Sequence, residues 1–380
     1  MTTLRLPALA TAHSHAFQRG MRGRAQRPGP RGTDDFWTWR QAMYDLALSL
    51  DPERLYDVSR VAFDELFAAG VLTVGEFHYV HHQADGTPYD DRTVMADAVI
   101  RAAKDAGLRV ALLRGVYHRG GPGVPAAHAQ LRFSDASLDD ALRDVDSLRA
   151  RYRDDPDVTV GLAPHSVRAL PPAWLAPIGH HARAHDLPLH MHVAEQPAEV
   201  DACVRETGRR PVELVADAGL LSPRFVAVHA THLAPHEARL LGDARAFVCL
   251  NPTTERDLGD GHPDVTAMRS AGCRLCTGID SHVLTDPLED LRGVELGERL
   301  RTLLRVTSRV EAPTLAERLW EAGSHEGARA CGFADAGGYT LIDRGARELA
   351  LVDDEHLQDA IVFSGTLRII AGVVRAQRPA

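Results

Sequence analysis

Eight short apolar runs, nearly all separated by helical stretches, restrict the fold of this 380-residue chain more than any other feature. They are Leu4–Ala12, Val71–Phe77, Leu108–Val116, Val158–Ala163, Leu187–His192, Phe225–His229, Ala244–Leu250 and Cys273–Ile279. Short runs of this kind, bounded by turn residues, read as buried strands. The stretches between them carry helix signals. The best has Asp51 as N-cap, Pro52 at the first helical position, apolar residues at Leu55, Val58, Val61, Ala62 and Leu66, and Gly70 as a stop. Eight strands alternating with helices is the (β/α)8 barrel count. The expected fold is therefore an α/β TIM barrel over residues 1–312. Residues 313–380 add a helix, Leu315–Gly332, and four β-like runs, Tyr339–Ile342, Glu348–Val352, Ala360–Ser364 and Arg368–Val374. These read as a small β appendage.

Polar residues collect just after the strands: His13 and His15, His78 and Tyr79, Tyr117 and His118, His165 and Arg168, His192 and Glu195, His229 and His232, Asn251, then Asp280 and His282. In a barrel those are the C-terminal strand ends, where active sites are built. His13-Ser14-His15 places two imidazoles on one face of a strand, within reach of one metal ion. The candidate ligand set is His13, His15, His192 and Asp280. Three imidazoles and a carboxylate suit Zn²⁺, with Fe²⁺ the alternative, and an open position would hold a water whose pKa the ion lowers from ~15.7 to about 7. His192 is preferred over His190, which is expected behind the site. Glu195, His229 and Asp280 are the candidate proton carriers.

Composition closes other routes. A net charge of −9 argues against non-specific nucleic-acid binding, and no window is apolar for eighteen residues, so no transmembrane helix is expected. Together with five cysteines, this points to a reducing, cytoplasmic setting. Cys273 and Cys276 have no second CxxC to share a metal and read as buried cysteines at a strand start. Lys104 is the only lysine and sits in an Ala-rich helical stretch, which excludes Schiff-base chemistry and a carbamylated lysine bridging two metals. Arginines 19, 22, 24, 27 and 31 lie in a Gly/Pro-rich loop. That loop reads as a solvated segment, or as one that draws in an anionic substrate.

The strings HSHAFQR (13–19), FWTWRQAMY (36–44), EFHYVHH (76–82), APHSVRA (163–169), HMHVAEQ (190–196), HATHL (229–233), PTTERDLGDG (252–261) and GIDSHV (278–283) carry a resemblance. The chain resembles the amidohydrolase superfamily in its mononuclear branch, and within it the formimidoylglutamate deiminase family. This implies metal-dependent hydrolysis of N-formimino-L-glutamate to N-formyl-L-glutamate and ammonia, in a homodimer. It further implies that Arg168 with His165 holds the α-carboxylate of a dicarboxylate amidine, and Arg40 with Tyr79 and Gln18 the side-chain carboxylate. The chain departs from the family in having Thr11 where an Asn is usual and Asn251 where an apolar or sulfur residue is usual. Its short N-terminus implies a partly truncated appendage. Two other readings are a related deaminase acting on another amidine, a guanidino acid or an aminopurine, and a metal-binding scaffold without activity.

Overall fold

The computed structural model describes residues 3–26, 35–307 and 314–377. After β1 (Thr3–Pro7), eight strands run parallel in one sheet, each paired with the next in the chain. They are β2 (Leu9–Ser14), β3 (Val71–His78), β4 (Arg109–Val116), β5 (Val158–Pro164), β6 (Leu189–Val193), β7 (Phe225–His229), β8 (Phe247–Leu250) and β9 (Arg274–Thr277). The sheet closes on itself: His15 N–H donates to the Asp280 carbonyl at 2.9 Å, and Asp280 N–H to the His13 carbonyl at 3.1 Å. Thr11 adds a side-chain link here. Its Oγ1 accepts from Ile279 N–H at 2.8 Å and donates to the His13 carbonyl at 3.0 Å. A side chain at Gly278 would meet Asn251 Oδ1 at 2.3 Å and His13 Cβ at 2.8 Å, so only glycine lets the last strand approach the first this closely. The molecule is a (β/α)8 barrel.

Helices α1 (Phe36–Leu48), α2 (Pro52–Ala68), α3 (Val94–Asp105) and α4 (Leu138–Arg151) lie where the sequence places them. Asp51 caps α2 by accepting from Arg54 N–H at 2.8 Å, and Gly70 turns the chain at φ +85°. Lys104 lies on α3, ion-paired with Asp155. All five cysteines are buried and free. Arg19 and Arg22 of the arginine-rich loop both pair with Glu65, while Arg27 and Arg31 lie outside the described residues. No helix among the described residues is long and apolar enough to cross a membrane.

The two ends of the chain differ from expectation. Leu4–Ala12 is not one strand. Thr3–Pro7 pairs antiparallel with β10 (Gly338–Asp343), which pairs with β11 (Ile370–Arg375). Pro7 has no N–H to continue that ladder, and beyond it Ala8 N–H bonds the Gly338 carbonyl and Leu9 N–H the Thr340 hydroxyl. The small sheet thus draws a strand from each end of the chain, and a division at residue 312 does not separate them; residues 308–313 lie outside the described residues. Glu348–Val352 is a turn rather than a strand, and Ala360–Ser364 belongs to the helix Leu357–Ser364. Leu357 and Ile361 stand one helical turn apart there, a spacing that a short apolar run does not reveal. Residues 315–330 close the N-terminal end of the barrel, with Trp320 Nε1 donating to the Pro7 carbonyl at 2.9 Å.

One buried ion pair ties β4 to its covering segments. Arg114 donates to Asp135 Oδ1 and Oδ2 at 2.6 and 2.7 Å and to Asp144 Oδ2, on α4, at 2.8 Å. All three residues are buried. Asp144 also pairs with Arg92, but removing Arg114 leaves the buried Asp135 without its cation, so Arg114→Leu is expected to cost about 3–5 kcal/mol. Equilibrium denaturation checks this, and a loss under about 1 kcal/mol would show that water reaches the pair.

Candidate active site

The strand ends are bent to aim side chains at the barrel mouth. His229, Asp280 and His282 have φ of +66°, +57° and +55°, and Ala194, just before Glu195, has +51°. Non-glycine residues avoid this left-handed region unless the surroundings enforce it, and such strain concentrates at functional sites. The result is a cavity at the C-terminal ends of the strands. Its wall includes His15, His192, Glu195, His229 and Asp280, together with Gln18, Arg40, Tyr79, His165 and Arg168. Of the sequence-predicted site residues only His13 does not reach the wall. It lies fully buried beneath it.

His13, His15 and His192 converge, as expected of ligands to one ion. His192 Nε2 stands 3.2 Å from His13 Nε2 and 3.3 Å from His15 Nε2. Asp280 Oδ1 is 3.4 Å from His13 Nε2 and 3.6 Å from His15 Nε2. The tautomers follow from the other ring nitrogens. His15 Nδ1 donates to the Phe77 carbonyl at 2.8 Å and His192 Nδ1 to the His165 carbonyl at 3.0 Å. Their Nε2 atoms are then bare in the neutral rings. Burial disfavours protonation, bringing His15 down to about 3 and His192 well below the usual histidine value. Bare lone pairs this close repel one another unless a cation sits between them. Donors ~2.1 Å from a tetrahedral ion are about 3.4 Å apart, so the set fits a divalent metal. His190 is not part of it: its Nε2 bonds the Ala330 carbonyl at 2.9 Å.

Asp280 divides its oxygens. Oδ1 faces the imidazoles, and Oδ2 lies 3.6 Å from His229 Nε2. Burial works against its charge, yet His13, His229 and His15 hold the carboxyl far below the usual range. His229 Nε2 is also 3.8 Å from Glu195 Oε1. Glu255, which sequence reasoning did not single out, lies 3.2 Å from His229 Nδ1. Burial lowers the His229 proton affinity, but Glu195, Glu255 and Asp280 together raise it to about 10. Asn251 Nδ2 also approaches His229 Nδ1, at 3.1 Å, behind the cavity wall. The signal for Glu255 was positional: β8 ends at Leu250 and Pro252 opens a helix at the barrel mouth, which puts Glu255 on its first turn. Glu76 was missed as well. Its Oε2 accepts from Ser14 Oγ at 2.6 Å and its Oε1 from Ala16 N–H at 2.8 Å, clamping the residues around His13 and His15.

The remaining wall is rich in donors. Asp35 caps α1, accepting from Trp37 and Thr38 N–H, so that Arg40 emerges from the first turns. Its guanidinium lies over the Trp37 ring at 4.5 Å and the Tyr44 ring at 5.5 Å. Burial and the neighbouring Arg168 hold Arg40 below the usual arginine range. Buried Nη1 atoms of both Arg40 and Arg168 have no hydrogen-bond partner, and neither residue has an ion pair with a carboxylate among the described residues. Gln18 Nε2 donates to Tyr79 OH at 3.0 Å, and Gln18 Oε1 is buried without a partner.

The sequence profile described as the amidohydrolase family matches residues 4–373. The chain belongs to the amidohydrolase family. This amidohydrolase is 36% identical to the formimidoylglutamate deiminase of Pseudomonas aeruginosa, over 98% of this chain and 83% of that protein. It is 29% identical to the 8-oxoguanine deaminase of the same organism, over 74% of this chain and 60% of that protein. A crystal structure of an amidohydrolase from Brucella melitensis superposes with a TM-score of 0.86 at 32% identity, covering 96% of this chain and 84% of that one. The amidohydrolase is thus a deaminase-type hydrolase acting on carbon–nitrogen bonds.

Proposed function

We propose that this amidohydrolase hydrolyses N-formimino-L-glutamate to N-formyl-L-glutamate and ammonia, with one bound divalent ion, Zn²⁺ by the character of its ligands. The observation that carries the reading is the pair of arginines, Arg40 and Arg168, whose buried Nη1 atoms lack partners in the same cavity as the histidines and Asp280. A dicarboxylate supplies what they lack. Arg168 with His165 holds the α-carboxylate, and Arg40 with Tyr79 and Gln18 the side-chain carboxylate. The similarity to a formimidoylglutamate deiminase supports the same substrate.

His13, His15, His192 and Asp280 would hold the ion, which supplies an acidified water and draws electrons from the formimino carbon. In the overall change a C–O bond forms, a C–N bond breaks, and both protons of the water finish on the departing nitrogen. Glu195 lines the cavity without belonging to the ligand set, so it takes the first proton and delivers it to the imino nitrogen. Asp280 Oδ2, turned toward His229, takes the second and passes it on as ammonia leaves. His229, flanked by Glu195, Asp280 and Glu255, fixes the two carriers relative to each other.

The test is ammonia release from N-formimino-L-glutamate by protein of measured metal content. Turnover that is lost on chelation and restored by Zn²⁺ is expected. A fully metal-loaded protein that releases no ammonia would exclude this substrate and turn attention to guanidino acids and aminopurines.

A further inference from the structure

Behind the two arginines stands a buried amide that faces two phenols. Gln130 Nε2 lies 3.1 Å from Tyr44 OH and 3.1 Å from Tyr117 OH. Gln130 Oε1 accepts from Ala127 N–H at 3.2 Å. That backbone donor decides which way the amide points: turned over, the NH2 group would confront an N–H, and no hydrogen bond would form. The NH2 therefore spends both hydrogens on the two phenol oxygens. Each phenol is an acceptor on this side, and neither hydroxyl donates to any acceptor among the described residues. Tyr44 and Tyr117 both line the cavity with Arg40 and Arg168.

The amide is held in place. Arg132, on the same short turn and fully buried, donates to the carbonyls of Leu50 and His82 at 2.9 and 2.8 Å and also to that of Ala47. Gly120 also packs against the amide: a Cβ there would lie 2.9 Å from Gln130 Oε1. Gln130 is thus locked between α1, which carries Tyr44, and the end of β4, which precedes Tyr117.

From this geometry we propose that Gln130 is a positioning residue: it turns the hydroxyl protons of Tyr44 and Tyr117 into the cavity, where they join Arg40 and Arg168 as donors to a carboxylate of the substrate. The inference rests on reading the substrate as a carboxylate-bearing amidine. It adds to that reading a neutral pair of donors and the group that orients them. A wall that aims two guanidinium groups and two hydroxyl protons at one place favours a carboxylate over an amide or a neutral ring. Burial, with Tyr117 beside it, pushes the Tyr44 phenol up to about 12, so this donor keeps its proton through the neutral range.

The experiment is a mutant cycle on Gln130→Leu, Tyr44→Phe and Tyr117→Phe, read as KM and kcat for N-formimino-L-glutamate. Each single Phe variant is expected to raise KM about tenfold with kcat little changed, the mark of lost ground-state binding. Gln130→Leu should match the Tyr44→Phe/Tyr117→Phe pair. Added to that pair it should cost nothing more, because its effect passes through the hydroxyls. A merely structural amide would add its full loss on top of the pair, and that additivity would overturn the proposal. The conservative Phe variants keep the test valid if Gln130→Leu folds poorly. Calorimetric titration with glutarate separates this inference from the reading beneath it. Wild-type turnover with unchanged KM and unchanged glutarate affinity in the variants sinks the role of Gln130 alone. A wild-type protein with neither turnover nor glutarate binding sinks both.

Discussion

Glu195→Gln is expected to lower kcat by about 10²- to 10⁴-fold while the metal content of the protein stays unchanged. The substitution keeps the size of the side chain and its place 3.8 Å from His229 Nε2, but removes the group that accepts and returns a proton. Because the candidate ligands are His13, His15, His192 and Asp280, an ion in the site loses no donor. Steady-state ammonia release beside elemental analysis of the same sample makes the check. Full activity in the variant would take Glu195 out of the proton path. Lost metal would instead make it part of the ligand set.

Arg40→Ala and Arg168→Ala are each expected to reduce kcat/KM for N-formimino-L-glutamate by about 10- to 100-fold, the worth of charge-assisted hydrogen bonds to a carboxylate. Arg168→Lys should recover little, since an ammonium offers a point charge where the fork was planar. The same variants tested against an aminopurine discriminate between readings: an enzyme built for a neutral base would hardly notice losing either arginine. Equal rates for wild type and both Ala variants on the formimino substrate would mean that the carboxylates are held elsewhere. The similarity to an 8-oxoguanine deaminase makes that comparison worth running.

The barrel and its mouth were legible because their signals are local and repeated. Each strand is a short apolar run, and the candidate ligands and proton carriers stand at or just past the end of one, so His13, His15, His192, His229 and Asp280 could be placed without knowing which strands touch. Thr11 shows where local reading ends. In sequence it is a departure from a pattern, whereas in the fold it supplies the hydrogen bonds that join the first strand end to Ile279. The ends of the chain were misread because pairing partners more than 300 residues apart leave no local trace: Thr3–Pro7 belongs with Gly338–Asp343. Gln130 was not seen for a similar reason. It lies on a brief turn without periodicity, and its meaning comes from Tyr44 and Tyr117, which reach it from two different elements.

The closure of the barrel also sets a schedule for synthesis. His13 and His15 emerge from the ribosome well before His192, and Asp280 later still. At about 5–20 residues per second, roughly tens of seconds separate the first donor from the last. Strand β1, which leads into that first donor pair, waits longer again for Gly338–Asp343. During that interval the two imidazoles are without the partners that the fold later brings to them. The four candidate donors can meet only once Asp280 has been made, so on the proposed ligand set a closed metal site forms after that point and not before.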